Sequence, residues 1–505
     1  MIYGIKLLLP ILLIWVLSLG LMPVIFKGML DSLEIKATLW VVLLFTLVEF
    51  LSFRVEIFFV VAIFALLIGQ QILGGGVKAK IAAFWMAVIL FPPFKLDVAG
   101  FGGINQLISI DHFRIAAIVL LIPAAFRIVS EQTPRKPTRL MDAAVLCYPI
   151  FSIVLSYPHV ATTAALRSAV ELLLDIALPY FVMTRGLRDW DELRFVLRRV
   201  LLVGIFAACA ALLEAIIRKN IYAELQWVYG FTWSLTHTLM RGNWLRVQAM
   251  TSEPIVLAAQ MLFMVGLWYS VRPRGEDRVR TATVSLFLIA VLVLTWSRGP
   301  LLGVAIFAAA LFTINRTAVR VFSCLLLLAI AAAVAAKAAG LDEPVLALLK
   351  SAFGGNAEDM GSIDYRSKLL DASLALIKQS PWFGVPNYTA YMQDLVQGEG
   401  IIDLVNTYVA VALDTGLVGL SLYLLPFVLV IAKLLRQLSS ARAAADAQGI
   451  AFASAFIALL VALLVTIFTT STYERIPYLL LLTIAAPTLT FSFVDKAQQR
   501  TPAPL

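Results

Sequence analysis

Apolar residues recur along the chain in runs near 5–26, 36–53, 55–73, 80–95, 113–129, 141–157, 162–183, 195–217, 254–271, 282–297, 299–315, 319–338, 405–432, 449–470 and 475–494. Most approach the ~20 residues that carry an α-helix across a bilayer. The pattern predicts an all-α fold, a polytopic integral membrane protein of about 14 transmembrane helices. Residues 36–73 read as two short spans or as one tilted span. Lys6 to Phe26 is long and lacks a small-residue cleavage site, so it reads as a first span rather than a removable signal.

The polar positions are as informative as the apolar ones. Basic residues gather in short loops: Arg135, Lys136 and Arg139; Arg185, Arg188, Arg194, Arg198 and Arg199; Arg272, Arg274, Arg278 and Arg280; Arg316 and Arg320; then Lys433, Arg436 and Arg442. Such loops mark the cytoplasmic side. From residue 113 onward an even number of spans always separates them, and both chain ends are expected inside. The expected organisation is therefore 1–217 as N-terminal transmembrane helices, 218–253 as a periplasmic loop, and 254–338 as transmembrane helices including a Ser-Arg-Gly turn. A large periplasmic loop at 339–404 and C-terminal transmembrane helices at 405–505 complete it. No internal repeat is visible, so a single membrane domain carries a small helical periplasmic cap.

The centre of this organisation is the stretch from Ser362 to Leu420. Its first half, IDYRSKLLDASLALIKQSPWFGVPN, predicts an amphipathic helix ending at Pro381 and followed by an aromatic-glycine turn. Its second half, EGIIDLVNTYVAVALDTGLVGL, has a short polar lead-in, Asp403 to Asn406, before a membrane helix. Polar machinery of this length between spans is where chemistry is expected.

Composition sharpens the class. The chain is 61% hydrophobic and 14% charged, with mean hydropathy +0.92, more apolar sequence than a soluble core can absorb. The net charge of +9 belongs to the topology-setting loops and does not indicate nucleic-acid binding. Cys147, Cys209 and Cys324 all lie in apolar runs and read as small core residues, implying neither disulfide nor metal.

Candidate chemistry concentrates on the periplasmic side. Arg246, Arg298 and Arg366 stand opposite the basic loops, against the usual charge bias. Guanidinium groups suit bidentate phosphate binding, and gathered at the membrane boundary they would hold a lipid pyrophosphate and neutralise it as it leaves. The bland alternative is a snorkelling or solvated arginine at each helix end. Arg298 stands out because TWSRGP (Thr295–Pro300) makes a tight turn within an apolar run. Arg241 shares its loop with Arg246 and His237 and is a further candidate contact for substrate.

Arg167, Glu171 and Asp175 lie four apart on one face of a predicted membrane helix. They are either a polar wall leading down from the outer face or an ion-pair ladder locking helices together. Glu253, Asp364, Glu399 and Asp403 offer general bases, with Asp403 preferred for its place at the membrane boundary. His112, His159 and His237 lack ligand-like spacing, so no metal site is expected. Cytoplasmic segments carry no Walker loop or dinucleotide fingerprint, which speaks against ATP-driven work.

The chain resembles the O-antigen polymerase and ligase-like membrane glycosyltransferases, mainly over Arg241 to Leu420. The marks are LRVQAMTSEP, LTWSRGPLLG, YRSKLLDASLALIKQSPWFG and, last, Asn406 followed after nine residues by Gly-x-x-Gly in NTYVAVALDTGLVG. The resemblance implies transfer of a glycan from an undecaprenyl-pyrophosphate carrier at the periplasmic face of the bacterial inner membrane, without metal, nucleotide or other cofactor. It also implies that Arg246, Arg298 and Arg366 contact the carrier pyrophosphate. Family ligases carry His immediately before the motif Asn; here that position is Val405, which cannot move a proton. The departure tilts the expectation from ligase to polymerase, with membrane lipid, a chain-length regulator and export machinery as candidate partners. Rivals are a ligase acting on lipid A core or another acceptor, and a lipid-oligosaccharide flippase. A flippase should show repeats or broken helices around a midplane site.

Overall fold

The computed structural model describes residues 2–52, 54–100, 106–131, 139–222, 239–272, 278–314, 357–386, 388–396, 402 and 404–500. Four helices open the chain: α1 (Ile2–Ile25), α2 (Ser32–Leu51), α3 (Val55–Ile72) and α4 (Gly76–Leu90). A two-stranded antiparallel hairpin follows, β1 (Lys95–Ala99) and β2 (Gln106–Asp111), with Lys95 opposite Asp111. Then come α5 (His112–Ala116), α6 (Ile122–Ser130), α7 (Arg139–Ser156), α8 (Thr162–Leu172), α9 (Leu178–Gly186) and α10 (Trp190–Ile217). A second small hairpin, β3 (Met240–Arg241) and β4 (Trp244–Leu245), precedes α11 (Pro254–Val271), α12 (Arg278–Leu294) and α13 (Arg298–Ile314). The described chain closes with α14 (Ala357–Gln379), α15 (Thr407–Ala443), α16 (Ala447–Phe468) and α17 (Ile476–Arg500).

The all-α expectation holds, with two short hairpins as the strands among the described residues. Seven described helices are long and apolar enough to cross a membrane on length and composition, with shorter apolar helices at 56–72, 298–314 and 476–491. The predicted span at 319–338 and the first part of the 339–404 loop lie outside the described residues. The 36–73 ambiguity resolves into two helices, α2 and α3. Asp31 separates α1 from α2 by forming a capping box with Glu34: its side chain accepts from the Glu34 N–H, and Glu34 returns the bond to the Asp31 N–H.

Helices apolar on every side belong inside a bundle, and α4, α10, α11 and α16 are inner ones, buried along most of their length. Two chains of helix contain a π turn, 117–121 between α5 and α6 and 173–177 between α8 and α9. Each ends two residues before a proline, Pro123 and Pro179. A proline lacks the N–H for the i−4 bond and its ring crowds that carbonyl, and a widened turn accommodates both defects.

The predicted cytoplasmic loops do converge on one end of the bundle. Arg185 pairs with Asp142, Arg188 with Glu131, and Arg199 with Glu34. Arg198 donates to the Met29 carbonyl, Arg280 to the Lys27 carbonyl, and Arg442 to the Ile314 carbonyl. Because the turn after α1 belongs to this basic end, the Ile2 end of α1 lies at the opposite one. The expectation of both chain ends on the basic side is therefore corrected at the N-terminus, since the separate α2 and α3 add a crossing that one tilted span would not.

Candidate active site

The end opposite the basic loops is built from the β1–β2 hairpin, the 239–253 loop, the turn before α13, the described residues of 380–406 and the 469–475 loop. Its centre is a clasp. Arg246 Nε donates to the Thr295 carbonyl (3.0 Å) and its Nη2 to Ser297 Oγ (3.2 Å), while Arg241 Nη1 donates to the Trp296 carbonyl (3.0 Å). Trp296 takes a left-handed backbone (φ 54°) to make this turn, and the ring of Trp244 lies 6.3 Å from its indole. The turn delivers Arg298 as the exposed first residue of α13. A helix N-terminus carries partial positive charge, so Arg298 sits where a cation gains least and an anion gains most.

Three sequence-predicted arginines, Arg241, Arg246 and Arg298, are thus brought together, with part of the donor capacity of the first two engaged in holding the turn. Burial, and then the neighbouring Arg241, lower the Arg246 guanidinium from its usual range, while Glu253 and Tyr473 oppose that shift. Glu253 stands at the N-cap position of α11 and accepts from the Tyr473 hydroxyl (2.6 Å). Arg366 lies on α14, and its side chain, like all of Asp403, is outside the described residues.

Asn406 caps α15, its Oδ1 accepting from the N–H groups of Tyr408 (3.0 Å) and Val409 (3.2 Å). Ten residues later α15 breaks at Gly416 (φ 67°). There the turn after α14 docks. Leu417 N–H donates to the Pro381 carbonyl (2.8 Å), Val418 N–H to the Trp382 carbonyl (3.2 Å), and Val385 N–H to the Leu413 carbonyl (2.6 Å). A Cβ at Gly416 would lie 2.3 Å from the Trp382 carbonyl carbon, and one at Gly384 would lie 2.4 Å from the Leu413 oxygen. The Pro-x-x-Gly and Gly-x-x-Gly marks read in the sequence are the two faces of this one contact. A small core of Leu369, Leu376, Met392, Leu404 and Leu413 seals the cap onto α15.

The Arg167, Glu171 and Asp175 face does not pair internally. Arg167 Nη2 donates instead to the Gln106 carbonyl on β2 (2.5 Å). Arg114 supplies the missing cation, reaching Glu171 (3.0 Å) and Asp175 (2.8 Å), and Tyr478 donates to Asp175 (3.1 Å). The ladder does lock helices, but through a partner that sequence reading passed over. In the sequence, Arg114 looks like an ordinary charge at the start of a span. Burial, reinforced by Asp175, lifts the neighbouring Asp111 carboxyl to about 6.

Two further acids were also missed. Glu214 near the end of α10 accepts from the N–H groups of Ile221 (2.9 Å), Gln248 (3.1 Å) and Ala249 (2.8 Å), shaping the loop that carries Arg246. Its signal was available: a lone carboxylate in an apolar run needs a partner. Glu474 accepts from the Ser252 N–H (2.9 Å) and pairs with Arg475, which is fully buried and donates to the Val88 (2.7 Å) and Phe91 carbonyls. Burial raises Glu474 and lowers Arg475, each opposed by the other's charge. The 469–475 loop also meets the cap. Thr407 Oγ1 donates to the Thr470 carbonyl (2.8 Å), and Ser471 donates to that of Leu404.

These features define a class: a polytopic all-α membrane protein whose polar, arginine-bearing apparatus is gathered at one end of its helix bundle. Residues 283–424 match the family model described as O-Antigen ligase. The match takes in Arg298, Arg366 and the Asn406–Gly419 motif, and it supports the resemblance to O-antigen ligases and polymerases drawn from those residues. A comparison with curated proteins gave no match.

Proposed function

We propose that the protein is a polysaccharide polymerase acting at the periplasmic face of the bacterial inner membrane. An undecaprenyl-pyrophosphate-linked glycan is the donor, and its pyrophosphate lies against Arg241, Arg246, Arg298 and Arg366. The hydroxyl of a second lipid-linked repeat unit attacks the anomeric carbon. The new C–O bond forms as the bond to the carrier phosphate breaks, and lipid pyrophosphate leaves with the electron pair. The arginines stabilise that departing charge. Asp403 takes the hydroxyl proton in this reading, with Glu253 as the described carboxylate nearest in chemistry to the clasp.

The observation that carries the proposal is the clasp, which presents Arg298 at a helix N-terminus opposite the basic end. Val405 before the motif Asn favours polymerase over ligase, whereas the description of the matching family favours ligase. The size of lipid-linked glycan in a deletion strain separates them. Single repeat units that become a ladder on restoring the gene establish polymerisation; full-length polymer still on its carrier establishes ligation. Repeat units trapped on the cytoplasmic leaflet establish transport and end the arginine argument. In the restored strain Arg298→Ala and Arg366→Ala should each reduce the ladder about a hundredfold or more, the scale on which losing one charge-stabilising donor acts, with protein abundance unchanged.

A further inference from the structure

A groove of about 430 Å³ runs between α7 and the α8 segment with its π turn, within the size range of small-molecule sites. Its polar lining is Tyr148, Ser152, Ser156, Ser168, Glu171 and Asp175, set against aliphatic wall such as Ile153 and Leu172. We propose that this groove holds the sugars of the acceptor, a neutral polyhydroxylated chain. The inference rests on the glycosyl-transfer reading and adds where the second substrate lies.

The chemistry excludes a second phosphate. Glu171 and Asp175 are negative, and their exposed oxygens would repel a pyrophosphate, which the arginine clasp attracts. Arg114 ties both acids from behind, offsetting one of their two charges and fixing their direction, with 28% and 26% of each side chain still exposed. Oriented carboxylates and hydroxyls are acceptors and donors for sugar hydroxyls, and aliphatic wall covers the C–H faces of a pyranose.

Position points the same way. The ring of Tyr148, in the groove wall, packs edge-on 5.1 Å from that of Tyr423 on α15. Phe151, on the same helix, has its ring 6.4 Å from that of Phe383 in the docked turn. The groove therefore runs up to the Gly416 break, where α15 carries the capped motif towards the 469–475 loop and the arginines. It lies outside residues 283–424, where a chain would carry its own acceptor preference apart from shared chemistry.

The test uses full-length protein in liposomes, with radiolabelled lipid-pyrophosphate-linked repeat as donor and unlabelled lipid-linked repeat as acceptor. Ala164→Trp and Ser156→Trp fill the groove. Each should raise the half-saturating acceptor concentration at least tenfold while binding of sugar-free undecaprenyl pyrophosphate stays within twofold, which also reports an intact fold. A photo-crosslinker replacing Ser156 should capture glycan-bearing acceptor and not the sugar-free carrier. Unchanged acceptor dependence in both Trp variants, or capture of the sugar-free carrier, would overturn the groove while leaving the polymerase reading in place. Wild-type protein that lengthens no glycan and yields no crosslink would remove both.

Discussion

Arg475 is the residue on which the outer end most visibly depends. Its guanidinium is fully buried, ties α17 to the carbonyls that end α4, and neutralises Glu474. Arg475→Ala leaves a buried carboxylate and two carbonyls without their donor, a loss on the order of 3–5 kcal/mol. Thermal unfolding in detergent should show it as a large fall in Tm, whereas Arg298→Ala should leave Tm nearly unchanged. Asp111 gives a pH signature. Its folded-state carboxyl is raised from 3.8 to about 6, so the folded protein binds the proton more tightly than the unfolded chain. Its contribution is then constant below about pH 4, costs stability as pH rises towards 6, and levels off above that, a total on the order of 2–3 kcal/mol. Asp111→Asn keeps the capping oxygen that accepts from Phe113 and Arg114 N–H and should flatten stability over that window. A slope that survives the substitution would place the titration at another group.

At the scale of elements, the decisive event is the break in α15. The sequence motif was visible as Gly-x-x-Gly, but its pairing with Pro-x-x-Gly was not, because two backbone edges distant in sequence leave no periodic signal. Gly416→Ala would force an L side chain into a backbone region (φ 67°, ψ −169°) that essentially only glycine adopts, about 1–3 kcal/mol, and drive its Cβ into the Trp382 backbone. The docked turn should then release, read as faster proteolysis between 380 and 396. Helix positions themselves were legible from apolar runs, since the bilayer rewards length and hydrophobicity directly. The clasp was legible only in part: Arg241, Arg246 and Arg298 could be named, while their purchase on the 295–297 carbonyls required the fold.

For the whole molecule, the alternation of basic loops gave the correct sorting of ends because it records chain charge rather than packing. It failed for the first span, where 36–73 has the polar residues of a turn, Ser52 and Arg54, without a basic cluster to mark the side. Arg114, Glu214 and Glu474 were hidden for the opposite reason: a charge whose partner is far away in sequence looks solvated until the chain folds. Cysteine labelling tests the sorting. Ala390→Cys should react with an impermeant thiol reagent on intact spheroplasts, and Ser440→Cys only after lysis; the reverse pattern would invert the orientation. The α15 break also governs how the protein is made. Residues 381–385 are synthesised before residues 407–420, yet the N–H groups of Leu417 and Val418 find acceptors only on that earlier segment. Until the two meet, α15 can close those bonds within itself as an unbroken helix, with Gly416 in helical conformation. Docking of residues 381–385 must therefore accompany formation of the break, and a chain in which it fails keeps a continuous α15 and an undocked turn for proteases to find.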